Sequence, residues 1–90
     1  MFQFRWDDEK NQKLKKERGI SFEEVIFYIE NGHLIQVIPN PSKNHAEQEV
    51  YVIEVNEYIY LVPQVRINEE IFLKTIIPSR KATKKFLGGK

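Results

Sequence analysis

The chain contains no cysteine and only two histidines among its 90 residues. Without cysteine it has neither a disulfide framework nor a thiol nucleophile, and this composition fits a reducing compartment. His33 and His45 are too far apart in the sequence for an H-x-x-x-H motif, and no Cys/His zinc spacing exists. We therefore expect a protein that uses no metal ion and no other cofactor.

Glycine and long apolar runs are also scarce. The four glycines form no phosphate-binding loop, and no run approaches the ~20 apolar residues that a membrane helix needs. The first residues, MFQFRWDD, contain no apolar stretch of signal-peptide length. We expect one domain over residues 1–90 that is soluble, cytoplasmic and independent of membranes.

The net charge of +1 conceals an uneven distribution of charge along the chain. Residues 1–18 carry a net charge of +2, residues 19–73 carry −7, and residues 74–90 carry +6. Both ends are therefore cationic and the middle is anionic. This division suits a protein that holds a polyanion at one surface and a basic partner at another.

Capping residues predict two helices in the first third of the chain. Asp7 can cap a helix that ends at Gly19, and a short edge strand precedes it. The segment 21–24, Ser-Phe-Glu-Glu, is a capping box. Apolar residues follow it at the i, i+3, i+4, i+7 spacing, so the second helix has a core face and ends at Asn31-Gly32.

The rest of the chain predicts a small α+β domain with four antiparallel strands in a meander and a final short helix. The strands cover residues 33–38, 50–55, 58–67 and 70–77. A tight turn at residues 56–57 would place Val55 opposite Tyr58 and Tyr51 opposite Val62. After Pro78, Ser79 is the N-cap of the last helix.

The remaining side chains indicate a surface directed at phosphate. Arg66 and Arg80 would converge if their strands pair, and two guanidinium groups can grip a phosphate. Four lysines would widen this patch, namely Lys74, Lys81, Lys84 and Lys85. Among the tyrosines, whose rings can stack on unpaired bases, we nominate Tyr60 for contact with RNA.

Metal-free cleavage of RNA needs a base, cations at the phosphorus centre and an acid for the leaving oxygen. Arg66 and Arg80 are the candidate cations. The base remains open at this point among His45, Glu49 and Glu69. A non-catalytic module that only binds RNA or a partner protein is the alternative, and it predicts salt-sensitive binding without cleavage products.

Three motifs resemble those of BrnT-type toxins of bacterial type II toxin-antitoxin systems. They are F-x-W-D-x-x-K at residues 4–10, R-G-I-S-F-E-E at residues 18–24, and I-I-P-S-R-K-A-T-K-K at residues 76–85. The match spans nearly the whole chain in the same order. The polar loop at residues 39–47, the segment 61–63 and the acidic turn before Ile71 depart from the family pattern, as in a divergent branch.

The resemblance implies a RelE-like ribonuclease fold and cleavage of RNA that inhibits translation. It also implies neutralisation by a cognate antitoxin, often one with a ribbon-helix-helix part, so that DNA is met only indirectly through that partner. On this analogy Arg80 is the best-supported site residue and Arg66 is the next. His45 lies outside the matching motifs, and fold-level analogy does not establish chemistry.

Overall fold

Three α-helices each begin directly after a capping side chain, in a computed structural model that describes residues 2–88. The helices are α1 (Asp8–Arg18), α2 (Phe22–Glu30) and α3 (Arg80–Leu87). Asp7 accepts hydrogen bonds from the first backbone N–H groups of α1. The capping box predicted at Ser21 is present, because Glu24 also bonds back to the Ser21 backbone. Ser79 caps α3.

The sheet is mixed and six-stranded within the described residues. Its strands are β1 (Gln3–Arg5), β2 (Leu34–Pro39), β3 (Glu49–Val55), β4 (Tyr58–Ile67), β5 (Glu70–Leu73) and β6 (Ile77–Pro78). They lie in the order β1-β5-β4-β3-β2, and β6 pairs with β4 beyond the end of β5. The prediction of a small α+β domain is confirmed. The predicted four-stranded antiparallel sheet is not, because β1 pairs in parallel with β5.

The hairpin between β3 and β4 has the predicted register, with Val55 opposite Tyr58 and Tyr51 opposite Val62. Its turn has two residues, Asn56 at φ 53° and Glu57 at φ 64°. These left-handed conformations match the right-handed twist of the strands, and a two-residue turn of this kind tolerates a glutamate at some cost in strain.

The run from residue 70 to residue 77 is two strands rather than the predicted one. Leu73 pairs with Gln64 and Ile77 pairs with Leu61, so four steps along one strand span three steps of β4. The extra residue acts as a bulge and reverses the alternation of side chains. Ile76 therefore lies in the same core as Ile71 and Leu73 and is fully buried, whereas unbroken alternation would place it on the side of Phe72.

The two faces of the sheet are covered by different helices. On the α1/α2 face, the core residues include Leu14, Phe22, Val25, Ile53, Val62 and Leu73. On the α3 face, they include Val52, Ile59, Leu61, Ala82 and Phe86. Within residues 2–88, no helix has the length and apolar content required to cross a membrane.

Thr83 fixes α3 to the sheet. Its hydroxyl accepts from the backbone N–H of Ile59 at 2.8 Å and donates to the carbonyl of Ser79 at 2.7 Å. The Ser79 N–H in turn donates to the Ile59 carbonyl at 3.0 Å. The start of α3 is thus held against β4, and this contact determines where the basic residues of α3 lie.

Candidate functional site

Arg66 and Arg80 lie on opposite faces of the sheet. Side chains alternate along β4, so Arg66 shares the α1/α2 face with Val62, whereas Arg80 begins the helix on the other face. They are also far apart along the strand. Pro78 pairs with Tyr60, and Arg66 lies six residues farther along β4, which is about 20 Å at ~3.3 Å per residue. The predicted convergence of the two guanidinium groups does not occur.

Arg66 instead has an aromatic environment near the other end of β4. Its guanidinium carbon lies 3.9 Å from the centroid of the Phe2 ring. Burial raises the pKa of Tyr51 above its ordinary value of 10.0, while the charge of Arg66 lowers it in part and that of Glu49 raises it further. Arg66 therefore stabilises its own side of the sheet and faces no lysine of the predicted patch.

Replacing Arg66 by alanine is expected to raise the pKa of Tyr51 further, because a positive charge favours the tyrosinate. Tyrosinate absorbance, followed against pH, should show one tyrosine ionising later than in the wild type. A folded-state pKa above 10.0 also means that the contribution of Tyr51 to stability is present below pH 10.0 and lost as the pH rises through the folded value.

The matched control for this titration is Arg80→Ala, which should leave the pKa of Tyr51 unchanged. An equal shift in both variants would show that the two arginines share one environment, contrary to the topology.

His45 and Lys74 lie together in a cleft of about 480 Å³ that we call the lysine cleft. The residues that line it include Lys10, Asn40, His45, Gln48, Lys74 and Thr75. Lys74 reaches it because its backbone N–H donates to the carbonyl of Pro63 at 2.9 Å, which continues the pairing of β5 with β4. Three separate parts of the chain, namely α1, the loop after β2 and the link from β5 to β6, thus meet at one point.

A chain of side-chain amides holds His45 in the cleft. The Ser42 backbone N–H donates to Asn40 Oδ1 at 3.0 Å, and Asn40 Nδ2 donates to Gln48 Oε1 at 3.0 Å. Gln48 is 8% exposed, and its Nε2 lies 3.5 Å from His45 Nδ1. A backbone N–H is always a donor, so it fixes the orientation of both amides. Gln48 therefore places its amide nitrogen beside the Nδ1 edge of the His45 ring.

The other two candidates for the base are absent from the cleft. Glu49 belongs to the α1/α2 face, where Gln64 Nε2 lies 3.4 Å from its carboxylate. Glu69 lies in the exposed turn between β4 and β5. Of the three candidates, His45 alone lies beside lysine side chains.

The lysines of α3 divide between two sides of that helix. Lys84 lines a depression together with Glu54 and Glu57, so carboxylates offset its charge. Lys81 and Lys85 are one turn apart and do not line this depression. Both are exposed on α3, which covers the face of the sheet opposite α1 and α2. Two of the three nominated lysines in α3 can therefore extend the basic surface of the lysine cleft.

Tyr60 lies away from this basic surface. It is half-buried against the core of the α1/α2 face, and its ring centroid is 5.8 Å from that of Tyr58. The structure thus places His45 and Lys74 in the lysine cleft, Lys81 and Lys85 on α3, and Arg66 and Tyr60 on the α1/α2 face.

Sequence reasoning missed Lys10, Asn40 and Gln48. One feature of the sequence could have identified Asn40 and Gln48. They flank His45 in a polar loop whose ends must come together, because the loop joins two paired strands. Lys10 is the lysine of the F-x-W-D-x-x-K motif, but its place in the cleft with Lys74 depends on how α1 packs and could not be predicted from the motif.

In residues 2–88, no three histidine, aspartate or glutamate side chains are grouped to hold a metal ion. No protein-family model matches the chain, and no curated protein matches it significantly.

Proposed function

We propose that this chain is a toxin-type endoribonuclease with a RelE-like fold, which binds RNA on its α3 face and cleaves it in the lysine cleft. The observation that carries the proposal is the meeting of His45 with Lys10 and Lys74. RNA cleavage without a metal ion requires proton transfer and stabilisation of a charged phosphorus centre. A histidine beside two ammonium groups can provide both.

Each side chain in the cleft has a distinct part in this reaction. The 2′-hydroxyl oxygen attacks phosphorus, and the neutral imidazole of His45 takes the hydroxyl proton. The bond from phosphorus to the 5′-oxygen breaks, and the imidazolium returns a proton to that oxygen. The products are a 2′,3′-cyclic phosphate and a 5′-hydroxyl. Lys10 and Lys74 stabilise the negative charge that develops on the other phosphate oxygens.

The physiological role follows from the motif resemblance. A toxin of this kind inhibits translation until a cognate antitoxin covers its site, and any contact with DNA is made by that partner. The anionic middle of the chain, at −7 over residues 19–73, offers a surface to a basic segment of the antitoxin. The cationic α3 face is then left for RNA.

The purified protein is expected to cut unstructured RNA in the presence of a chelator and to leave 2′,3′-cyclic phosphate ends. The same strand made entirely of deoxynucleotides should remain intact, because it lacks the attacking hydroxyl. Products are resolved on a denaturing gel, and growth is followed when the protein is expressed with and without its neighbouring gene product.

The lysines provide a matched pair of variants for this assay. Lys10→Ala combined with Lys74→Ala should slow cleavage, whereas Lys13→Ala combined with Lys16→Ala changes two other lysines of α1 outside the cleft and should not. Intact RNA together with unaffected growth at good expression would refute the nuclease proposal.

The separation of Arg66 from Arg80 favours a second candidate, a module that binds RNA without cutting it. Such a module needs basic surface but no paired guanidinium groups. It predicts that Lys74→Ala reduces the slope of log K for RNA binding against log salt concentration by about 0.7. It also predicts that no cleavage products form under any condition.

A further inference from the structure

A depression lined by aromatic rings lies next to the lysine cleft. We call it the aromatic depression. It has a volume of about 380 Å³ and is lined by Phe4, Arg5, Trp6, Asp8 and Phe72. Phe72 points to the same side of the sheet as Lys74 and is 37% exposed. An exposed ring beside a basic cleft is the arrangement with which proteins bind unpaired nucleotides.

We propose that the aromatic depression binds one unpaired base of an RNA strand, stacked on Phe72, while a neighbouring phosphate of that strand lies in the lysine cleft. This inference rests on the proposed function, because it specifies the form of RNA that the same site accepts. The ligand class is single-stranded RNA rather than duplex.

The two sites meet at the end of β5, where Phe72 lines the depression and Lys74, two residues farther on, lines the cleft. Lys74 Nζ lies over the Phe72 ring, 4.7 Å from its centroid. The ammonium covers one face of the ring, so the proposed base stacks on the part of Phe72 that lines the depression.

The charges around the depression favour a base over a phosphate. Asp8 contributes a carboxylate, which repels phosphate and accepts hydrogen bonds from the N–H groups of a base edge. Arg5 is paired with Glu70 at 2.9 Å, so its charge is already offset. Phosphate therefore belongs in the lysine cleft. In a duplex, each base is stacked between its neighbours and paired with the opposite strand. Its ring face is therefore not accessible to Phe72.

The test measures binding of a dye-labelled, unstructured RNA oligonucleotide by fluorescence anisotropy, in a His45→Ala background that prevents cleavage. Phe72→Ala should weaken binding roughly five- to one-hundred-fold, the range for loss of one base–aromatic stack. Phe72→Trp should restore it. Binding of the same sequence annealed to its complement should be weak and should not respond to either change.

Phe27→Ala is the matched control. Phe27 is 59% exposed on α2 and lines neither the depression nor the cleft, so its removal should leave RNA binding unchanged. If Phe72→Ala binds the single strand as tightly as its parent, the stacking inference is overturned while the nuclease proposal stands. If the parent binds neither RNA form, the proposed function itself fails.

Discussion

Replacing His45 by alanine is expected to lower the rate of RNA cleavage about 10²- to 10⁴-fold, the usual contribution of a positioned general acid or base. His45 lies in the lysine cleft, and neither alternative candidate for the base, Glu49 or Glu69, lies there. No aspartate or glutamate is among the residues that line the cleft, so none there can take over its proton transfer. Single-turnover cleavage of a labelled RNA measures the effect.

The folded structure should survive this change. His45 is exposed in a short 3-10 turn, and surface substitutions of this kind usually alter stability by no more than about 0.5 kcal/mol. His33→Ala is the control. Nδ1 of His33 lies 3.1 Å from the Glu54 carbonyl oxygen, and His33 does not line the cleft. Wild-type cleavage by the His45 variant, together with a loss of cleavage in the lysine double variant, would assign proton transfer to another group.

A substitution at Gln48 provides a second test of the role of His45, because Gln48 positions the His45 ring. Its amide holds Nδ1 at 3.5 Å through a chain that begins at a backbone N–H. Gln48→Ala should leave RNA binding intact and slow cleavage, whereas loss of binding without a change in rate would assign Gln48 to the RNA surface. Gln48 is thus a positioning residue in the proposed reaction.

Local signals in the sequence predicted the parts of the fold that depend on neighbours in the chain. Asp7, Ser21 and Ser79 each provide an acceptor for a helix N-terminus, and all three caps form. The β3–β4 register was predictable because a two-residue turn fixes the pairing of the strands that it joins.

The parallel pairing of β1 and the bulge after Leu73 depend on contacts distant in sequence. β1 joins the sheet beside a strand that follows it by more than sixty residues, at Phe4 opposite Ile71. The bulge turns Ile76 into the core, where Arg18 Nη1 donates to its carbonyl. Simple alternation cannot reveal either feature, since it assumes that one residue always opposes one residue.

The candidate site was predictable only in part for the same reason. Sequence reasoning grouped Lys74, Lys81, Lys84 and Lys85 by nearness to the end of a strand, and the structure places Lys74 in the lysine cleft and the other three on α3. It failed for Arg66, because side-chain alternation along β4 places that residue on the other face. The partners of His45 come from a loop without periodicity, where no pattern predicts which amides will meet.

Replacing Asn11 by alanine is expected to destabilise the protein by about 2 to 6 kcal/mol. Asn11 is 2% exposed and joins α1 to the start of α2. Its Oδ1 accepts from the Phe22 N–H at 2.8 Å, and its Nδ2 donates to Glu23 Oε1 at 2.7 Å. The variant leaves a buried N–H without a partner and removes a hydrogen bond to a charged group, and each loss costs about 1–3 kcal/mol. Urea unfolding followed by circular dichroism gives the difference.

The same contact controls how stability responds to acid. The hydrogen bond from Asn11 is the largest of the interactions that hold the pKa of Glu23 below its ordinary value of 4.5. Its stabilising contribution is therefore present above pH 4.5 and lost as the pH falls through the lowered pKa. Asn11→Ala should show a weaker loss of stability over that acidic range than the wild type.

Asn11→Asp distinguishes the hydrogen bond from the volume of the side chain. It keeps an acceptor for the Phe22 N–H but sets a second carboxylate against Glu23, so the variant should be destabilised at neutral pH and should recover in part as acid protonates one of the two groups. Adding Glu23→Gln should restore stability at neutral pH, because the new amide can donate to Asp. Equal stability of the single and double variants would show that Asn11 and Glu23 are not coupled in the way that their 2.7 Å contact requires.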